Sequence, residues 1–301
     1  MTGPKPLLGG VELGGTKCVC VLGTGPDDIR VQTSIPTGDD PGATLDRIEH
    51  VLRDAIAAHG PISALGIASF GPVDLTRGSA SYGCITSTAK AGWRDTRIAG
   101  RLAHAIGVPI GFDTDVNGAA LAEGRWGAAR DLEDFAYITV GTGVGVGLVV
   151  SGRLVHGLAH PELGHIRVVR KIADRWPGVC SFHGDCVEGL ASGGAIAARA
   201  GMAAAEIPAE HSAWGFAAHA LAQLLHTLVL ATAPRRILMG GGVIEARPAL
   251  LAHVRRELLS SLNGYLDLRA LAGPIGRYVV PPGLGPSAGP LGALALAADA
   301  L

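Results

Sequence analysis

The chain has 301 residues, 48% of them apolar and 17% charged, with a formal net charge of -1. That length predicts about two domains with sizeable cores. The near-zero charge, with no basic run, argues against a nucleic-acid footprint, and no apolar run reaches the roughly 20 residues a bilayer span needs.

The elements follow in chain order. A strand is expected at Leu8 to Leu13, a tight turn at Gly14-Gly15, and strands at Cys18 to Leu22 and Ile29 to Ser34. Leu45, Ile48, Leu52, Ala55 and Ile56 recur at helical spacing. A strand at Ile62 to Ser69 leads into a polar loop through Tyr82 to Trp93, a helix at Thr96 to Ile106, a strand at Val108 to Phe112 and a helix at Gly118 to Gly124. The second half repeats the order: strands at Phe135 to Val140 and Val146 to Val150 flank a glycine turn. Helices are then expected at Glu188 to Ala200, Trp214 to Ala231, Pro248 to Ser260 and Leu291 to Ala300, with strands at Arg236 to Met239 and Arg277 to Val280. Trp214 to Ala231 is apolar nearly all round, which predicts a buried helix. An α/β pattern that occurs twice predicts two α/β domains around a cleft, the first over residues 1–113 and the second over 114–301.

Met1 to Pro6 lack the basic and apolar regions of a signal peptide, so a cytoplasmic protein is expected. Five cysteines do not form a disulfide framework. Cys18 and Cys20 share one strand face and read as small core residues.

Two glycine turns carry the first chemical signal. In Glu12-Leu13-Gly14-Gly15-Thr16-Lys17, glycines without Cβ let backbone N–H groups approach phosphate oxygens. Thr16 adds a hydroxyl and Lys17 a compact positive charge. Glu12 can hold magnesium directly or through water. An ordinary hairpin turn fits the same residues. The second turn, Gly141-Thr142-Gly143-Val144-Gly145, matches neither the dinucleotide fingerprint nor the P-loop; its alternate glycines allow close approach by a ligand or by a neighbouring strand. A third cluster, Met239-Gly240-Gly241-Gly242-Val243, can admit a flat adenine.

Asp113-Thr114-Asp115-Val116-Asn117 ends a strand and starts a helix, where ligands of α/β sheets gather. A carboxylate there can accept a proton from a sugar hydroxyl that attacks a γ-phosphate; equally, Asp115 or Asn117 can cap the helix. Cys180, His183 and Cys186 are each separated by two residues, close to zinc-ligand spacing. With His165 they complete two thiolates and two imidazoles, a closed and therefore structural site. A redox pair is disfavoured because the cysteines lack C-x-x-C spacing. Glu162 and Glu188 flank these ligands; they suit sugar hydroxyls or are surface charges. His156 and His160 read as ordinary loop residues.

Together these residues resemble the sugar kinases of the ROK family (repressor, open reading frame, kinase), and among them the bacterial zinc-containing fructokinases. The likeness runs from about Gly10 to Ala298 through "GGVELGGTK", "SFGPVDL", "YGCITSTAKAGW", "TDVNGAALAEGRWGA", "TVGTGVGVGLV", "PELGH", "CSFHGDCVEGLASG", "ILMGGGVI" and "AGPLGALALA". The resemblance implies an actin-like ATPase (ribonuclease H-like) fold whose last helix, about 288–301, returns to the N-terminal domain. It implies Asp115 as catalytic base, and phosphate turns at Gly14, Gly15, Thr16 and at Gly141, Thr142, Gly143. The adenosine turn falls at Gly240 and Gly241, and the zinc set at His165, Cys180, His183 and Cys186. Sugar contacts fall at Glu162, His165 and Glu188, joined by Thr114, Asp115 and the "SFGP" residues Ser69, Gly71 and Pro72. The activity implied is transfer of the γ-phosphoryl group of Mg-ATP to the 6-hydroxyl of fructose, with ATP, Mg²⁺ and structural Zn²⁺, in a homodimer. The alternatives are a kinase for glucose, mannose or an N-acetylhexosamine, and a non-catalytic sugar-sensing protein. A repressor's DNA-binding domain ahead of Leu8 is not expected.

The sequence departs from the family pattern in places. Glu12 replaces the commoner Asp, and Thr114 stands where glucose-phosphorylating members usually have Asn. Ser181 and Ala89 stand where Pro is usual.

Overall fold

The computed structural model describes residues 5–268 and 273–301; Met1 to Pro4, part of the stretch read for a signal peptide, lie outside them. The chain divides into two compact units. One gathers Met1–Arg130, Leu154–His160 and Pro286–Leu301; the other gathers Asp131–Arg153 and Pro161–Gly285. The division therefore falls after Arg130 and not at the 113/114 boundary expected from the sequence.

In the first unit a five-stranded mixed sheet has the order β3-β2-β1-β4-β5, with β1 Leu8–Leu13, β2 Lys17–Gly25, β3 Asp28–Pro36, β4 Ala64–Ser69 and β5 Ile110–Thr114. Strands β1, β2 and β3 form an antiparallel meander, while β4 and β5 join β1 in parallel. Helix α1 (Pro41–His59) starts where Asp40 accepts the Ala43 N–H at 3.1 Å and Pro41 presets the first turn. Its buried stripe of Leu45, Ile48 and Leu52 packs with Val11, Ile67 and Phe112, which lie side by side across β1, β4 and β5. Cys18 and Cys20 belong to the same core. Helices α2 (Ala99–Ile106) and α3 (Asp115–Trp126) follow.

The opposite sheet face has a different composition. Gly10, Gly66 and Gly111 are register partners on β1, β4 and β5, one position from the apolar row and so on the other face. The chain's last helix, called α10 below (Ala288–Asp299), lies on them. A Cβ on Gly66 would stand 1.8 Å from the Ala293 carbonyl oxygen, and one on Gly111 2.0 Å from that of Leu296. The same helix meets α3 where a Cβ on Gly292 would stand 2.3 Å from the Gly118 carbonyl carbon.

The second unit repeats this topology in a sheet of order β10-β9-β6-β7-β8. Its strands are β6 Phe135–Val140, β7 Val144–Val150, β8 Arg153–Leu154, β9 Arg236–Gly240 and β10 Val279–Val280. The single helix expected over Glu188 to Ala200 is two, α4 (Val187–Ala191) and α5 (Gly193–Ala200). Ser192 is extended (φ -64°, ψ 161°) and its hydroxyl caps α5 by accepting the Ala195 N–H. Of the strand expected at Arg277 to Val280, the first half is helical. Ile275–Tyr278 forms a turn of helix, α9, and only Val279 and Val280 pair with β9.

Helix α6 (Ser212–Thr232) is, among the described residues, the one helix long and apolar enough to cross a membrane, with a hydropathy of 1.3. No run of that length was expected. Its Leu221, Leu224, Leu225 and Leu228 are buried, and it packs on α4 and on α8 (Ala249–Leu262), as a core helix does. Helix α7 (Gly242–Ala246) lies between β9 and α8.

Replacing Gly66 by Ala should destabilise the protein by about 1–3 kcal/mol or more, because the new methyl meets backbone that cannot yield. Gly100→Ala is the control, since Gly100 lies in the first turn of α2 with nothing within 4 Å of an added Cβ. Urea denaturation should show the first loss and an unchanged or slightly raised midpoint for the second.

Candidate functional site

The carboxyl ends of β1, β4 and β5 coincide. Leu13 is the register partner of Ser69, and Ser69 of Thr114. Glu12, Ser69 and the Thr114-Asp115 turn therefore stand at three adjacent strand ends. Gly14 closes the first glycine turn by donating its N–H to the Lys17 carbonyl at 3.0 Å, and Thr37 braces it by donating its hydroxyl to the Gly14 carbonyl at 2.8 Å. A Cβ on Gly15 would meet nothing within 4 Å, so the backbone of this turn is open to a ligand. Thr16 and Lys17 are exposed.

Thr114, and neither Asp115 nor Asn117, caps α3: its hydroxyl accepts the Asn117 N–H at 3.2 Å. Asp115 is the first helical residue, with Oδ1 accepting the Val116 N–H at 2.9 Å. Loss of hydration pushes the Asp115 carboxyl up to about 6, against the lowering effect of its backbone hydrogen bonds. Loss of hydration also pushes Glu12 up to about 7; the Asp115 charge adds to the shift and Lys17 opposes it. The start of α10 closes over Glu12, where a Cβ on Gly289 would stand 2.0 Å from Glu12 Oε1. Two neighbouring, dehydrated carboxylates that Lys17 offsets only in part fit a divalent cation.

Ser69 is fully buried, donating its hydroxyl to the Phe70 carbonyl at 2.9 Å. Beyond it the Gly71-Pro72 peptide is cis. The two histidines read as ordinary loop residues are anchored in this unit. His160 is buried and its Nε2 accepts the Val73 N–H at 3.0 Å. His156 Nε2 lies 2.9 Å from Asp113 Oδ2. The sequence signal for them is faint: loop residues follow no period, and only the spacing of the pair in His156-Gly157-Leu158-Ala159-His160 sets them apart.

In the second unit, Gly141 donates its N–H to the Gly143 carbonyl at 2.9 Å, and its own carbonyl accepts the Gly193 N–H at the start of α5 at 2.8 Å. A Cβ on Gly141 would be unobstructed, and Thr142 is exposed. Gly240 ends β9. Gly241 follows at φ 92°, where a Cβ would stand 2.6 Å from the Val140 nitrogen; only glycine fits this β6–β9 crossing. Glu188 lies against the second glycine turn and not apart from it: Oε2 accepts the Val144 N–H at 3.0 Å, and Oε1 is 3.9 Å from His165 Nε2. Glu162 is exposed, just ahead of the short helical turn Leu163–His165.

The four metal-ligand candidates converge. One donor atom each from His165, Cys180, His183 and Cys186 lie within 4.8 Å of one another. Cys180 Sγ is 3.7 Å from His165 Nδ1 and 3.6 Å from His183 Nδ1, and Cys186 Sγ is 3.5 Å from His165 Nδ1. Tetrahedral bonds of usual zinc–sulfur and zinc–nitrogen length put such pairs about 3.6 Å apart. The cluster therefore fits a structural metal site. Glycines make the loop possible. A Cβ on Gly189 would stand 1.9 Å from the Gly184 carbonyl oxygen, and Gly184 itself takes φ 65°. Around the loop, Arg167 and Arg170 pair with Asp185, and Arg170 and Arg199 with Asp174. Burial would raise the Asp174 carboxyl, but the hydrogen bonds from Arg199 and Arg170 outweigh it and hold it below its ordinary value.

The family model described as "ROK family" matches residues 8–300. The chain belongs to the ROK family. A relative from Bacillus subtilis (strain 168) is 42% identical over 98% of this chain and 96% of its own length. A protein described as a fructokinase from Zymomonas mobilis is 40% identical over 99% of this chain and 98% of its own. Another fructokinase, from Pediococcus pentosaceus, is 38% identical over 98% and 99%. Among solved structures, the ROK hexokinase from Thermus thermophilus superposes with a TM-score of 0.76 at 27% identity, covering 97% of this chain and 98% of that one. Two α/β units with open mixed sheets are the ribonuclease H-like fold of the ROK kinases. Fold and homology together support ATP-dependent phosphotransferase activity on a sugar.

A raised carboxyl pKa has a sign that stability must follow. The folded state holds the Asp115 proton more tightly than the unfolded one, so its contribution is fullest below the ordinary value of 3.8 and is lost as pH rises through about 6. Asp115→Asn should therefore raise the melting temperature of the ligand-free protein at pH 8 by about 2–4 °C, and leave it unchanged at pH 4. Calorimetry at the two pH values checks this.

Proposed function

We propose that this protein transfers the γ-phosphoryl group of ATP to the 6-hydroxyl of fructose. The observation that carries the reading is the dehydrated Asp115 carboxyl at the start of α3, raised to about 6. A base with that pKa is largely ionised at neutral pH yet still basic enough to draw a proton from an attacking hydroxyl. Fructose is preferred over other hexoses because the relatives at 38–40% identity over nearly the full chain are described as fructokinases.

In this reading Asp115 accepts the hydroxyl proton. On the first unit, Gly14, Gly15, Thr16 and Lys17 offer N–H, hydroxyl and ammonium donors to phosphate oxygens. On the second, Gly141, Thr142 and Gly143 do the same, while Gly240 and Gly241 leave room for the adenosine. Glu12 holds the magnesium ion, which when bound offsets phosphate charge. Glu162, His165 and Glu188 on the second unit, and Ser69, Gly71, Pro72 and Thr114 on the first, hold the sugar. Thr114 can still donate its hydroxyl proton, since its cap bond only accepts. The cluster His165, Cys180, His183 and Cys186 holds zinc, whose role with four protein ligands is to cross-link the loop. We assign the protein to the cytoplasm by resemblance to ROK kinases. A kinase for glucose or mannose is the second reading, favoured by the likeness to the Thermus hexokinase.

ADP release from Mg-ATP across fructose, glucose, mannose, N-acetylglucosamine and N-acetylmannosamine tests the proposal. The expected result is a clear preference for fructose; an inert, folded, zinc-replete protein would sink it. Turnover should fall as pH drops through about 6, as Asp115 takes up its proton. Asp115→Ala should lose about 10²–10⁴-fold in kcat while leaving the fold intact. Metal analysis should find one zinc per chain, and its chelation should lower thermal stability.

A further inference from the structure

Leu154–His160 is an isolated piece of the first unit: the residues on either side of it in sequence belong to the second. Within the first unit it is held at two points. His160 Nε2 accepts the Val73 N–H at 3.0 Å, just past the Ser69-to-Pro72 segment. His156 Nε2 lies 2.9 Å from Asp113 Oδ2.

Asp113 is the less expected partner. It sits one residue before the Thr114 cap, is 5% exposed, and uses both carboxylate oxygens. Oδ1 accepts the Thr114 N–H and the Asn117 Nδ2–H, each at 2.7 Å. Oδ2 has the His156 ring as its partner. An ionised carboxylate only accepts, so His156 Nε2 carries the proton and donates it. The bond is charge-assisted, and the carboxylate raises the imidazole pKa, with partial burial opposing. Asn117 closes the ring: its Nδ2 holds Asp113 while its backbone N–H holds the Thr114 hydroxyl. The Asp113-Thr114-Asp115 turn is thus fixed by three side chains of its own segment and by one from outside it, His156.

We propose that His156 is a positioning residue for phosphoryl transfer, acting through Asp113 to fix the direction of the Asp115 carboxyl. The proposal rests on the reading of Asp115 as the base. His156 itself need touch neither sugar nor ATP. Removing its N–H leaves one oxygen of a nearly buried carboxylate without a donor. The turn then relaxes toward some other donor and takes Asp115 with it. Misplacing a reacting group by about 1 Å can cost about 10²-fold in rate, so the effect belongs in kcat and not in substrate affinity.

Glutamine provides the decisive variant, because its side-chain NH₂ can reach roughly where His Nε2–H does, whereas alanine offers no donor. Steady-state kinetics would be measured on the full-length, zinc-replete protein with the sugar on which the wild type is most active. His156→Ala should lower kcat by about 10–100-fold with KM for ATP and sugar within about twofold, and His156→Gln should restore most of it. Combining His156→Ala with Asp113→Asn should cost little more than Asp113→Asn alone, as expected when one residue acts through the other. Wild-type kcat in His156→Ala would overturn the proposal. So would a His156→Gln variant as slow as His156→Ala while melting like the wild type, or a loss confined to KM for the sugar, which would make His156 a substrate contact. A wild type inert with every sugar would overturn the kinase reading first, and this one with it.

Discussion

Everything at the candidate site of the first unit depends on how closely α10 lies on its sheet. Helices usually rest on sheets at a distance set by side chains from both surfaces. Here Gly10, Gly66 and Gly111 remove the sheet's contribution across three adjacent strands, and the backbone of α10 descends until a single methyl would strike the Ala293 or Leu296 carbonyl. The helix is apolar and buried along most of its length, including Leu291 and Leu294, so the contact has the driving force of a core. Two placements follow. Gly289, in the first turn of α10, comes down on the Glu12 carboxylate. Gly292 meets Gly118, which sets the position of α3 and of Asp115 at its start. The last twelve residues of helix thereby fix groups that the chain laid down far earlier.

That close packing explains why two carboxyls in this unit carry raised pKa values, and what opposes the rise. Asp74 makes the contrast. Partly exposed to water and accepting from Ser79, Ser81 and the Thr76 N–H, it is driven well below the ordinary carboxylate range. Glu12 and Asp115 are the same chemical group under the opposite balance: less water, few donors and, for Glu12, the Asp115 charge beside it. The start of α10 gives Glu12 some relief, since helix N-termini favour negative charge by a few tenths to about 1 kcal/mol. It is not enough to cancel the dehydration. A fold that holds such a pair gives up stability at neutral pH for acidity near neutrality, the usual sign of a group kept for chemistry.

Much of this was legible in the sequence. Alternation and helical spacing located the strands and helices, and the paired glycine turns located the repeat. The zinc-like spacing picked out Cys180, His183 and Cys186, and with His165 these are four candidates whose donor atoms do meet. What was not legible depended on partners far apart in sequence. The glycine row is three separate glycines until the strand register aligns them. Asp115 and Asn117 looked like caps, but the backbone turn gave that position to Thr114. His156 and His160 had no period to mark them, and their roles appear only when Asp113 and Val73 arrive from elsewhere. The helix expected over Glu188 to Ala200 broke at Ser192, since a hydroxyl that can cap a new helix competes with continuing the old one.

Glu188 shows how the metal cluster of the second unit bears on more than its own loop. The donor atom of His165 that faces the cysteines is Nδ1, which leaves Nε2 turned to the Glu188 carboxylate. A carboxylate beside the outer nitrogen of a ligating histidine fixes its tautomer and orientation. The other oxygen of Glu188 accepts the Val144 N–H at the end of the second glycine turn. The cluster, the carboxylate and the turn therefore lie in succession, so that order in the cluster bears on the backbone proposed to meet phosphate. An ionised carboxylate offers about four acceptor positions, and these two contacts leave some unused. Glu188 can thus keep both structural partners and still accept from a sugar hydroxyl. On that account, if the cluster holds a metal, its loss would disturb the turn and the proposed sugar contact at Glu188 together.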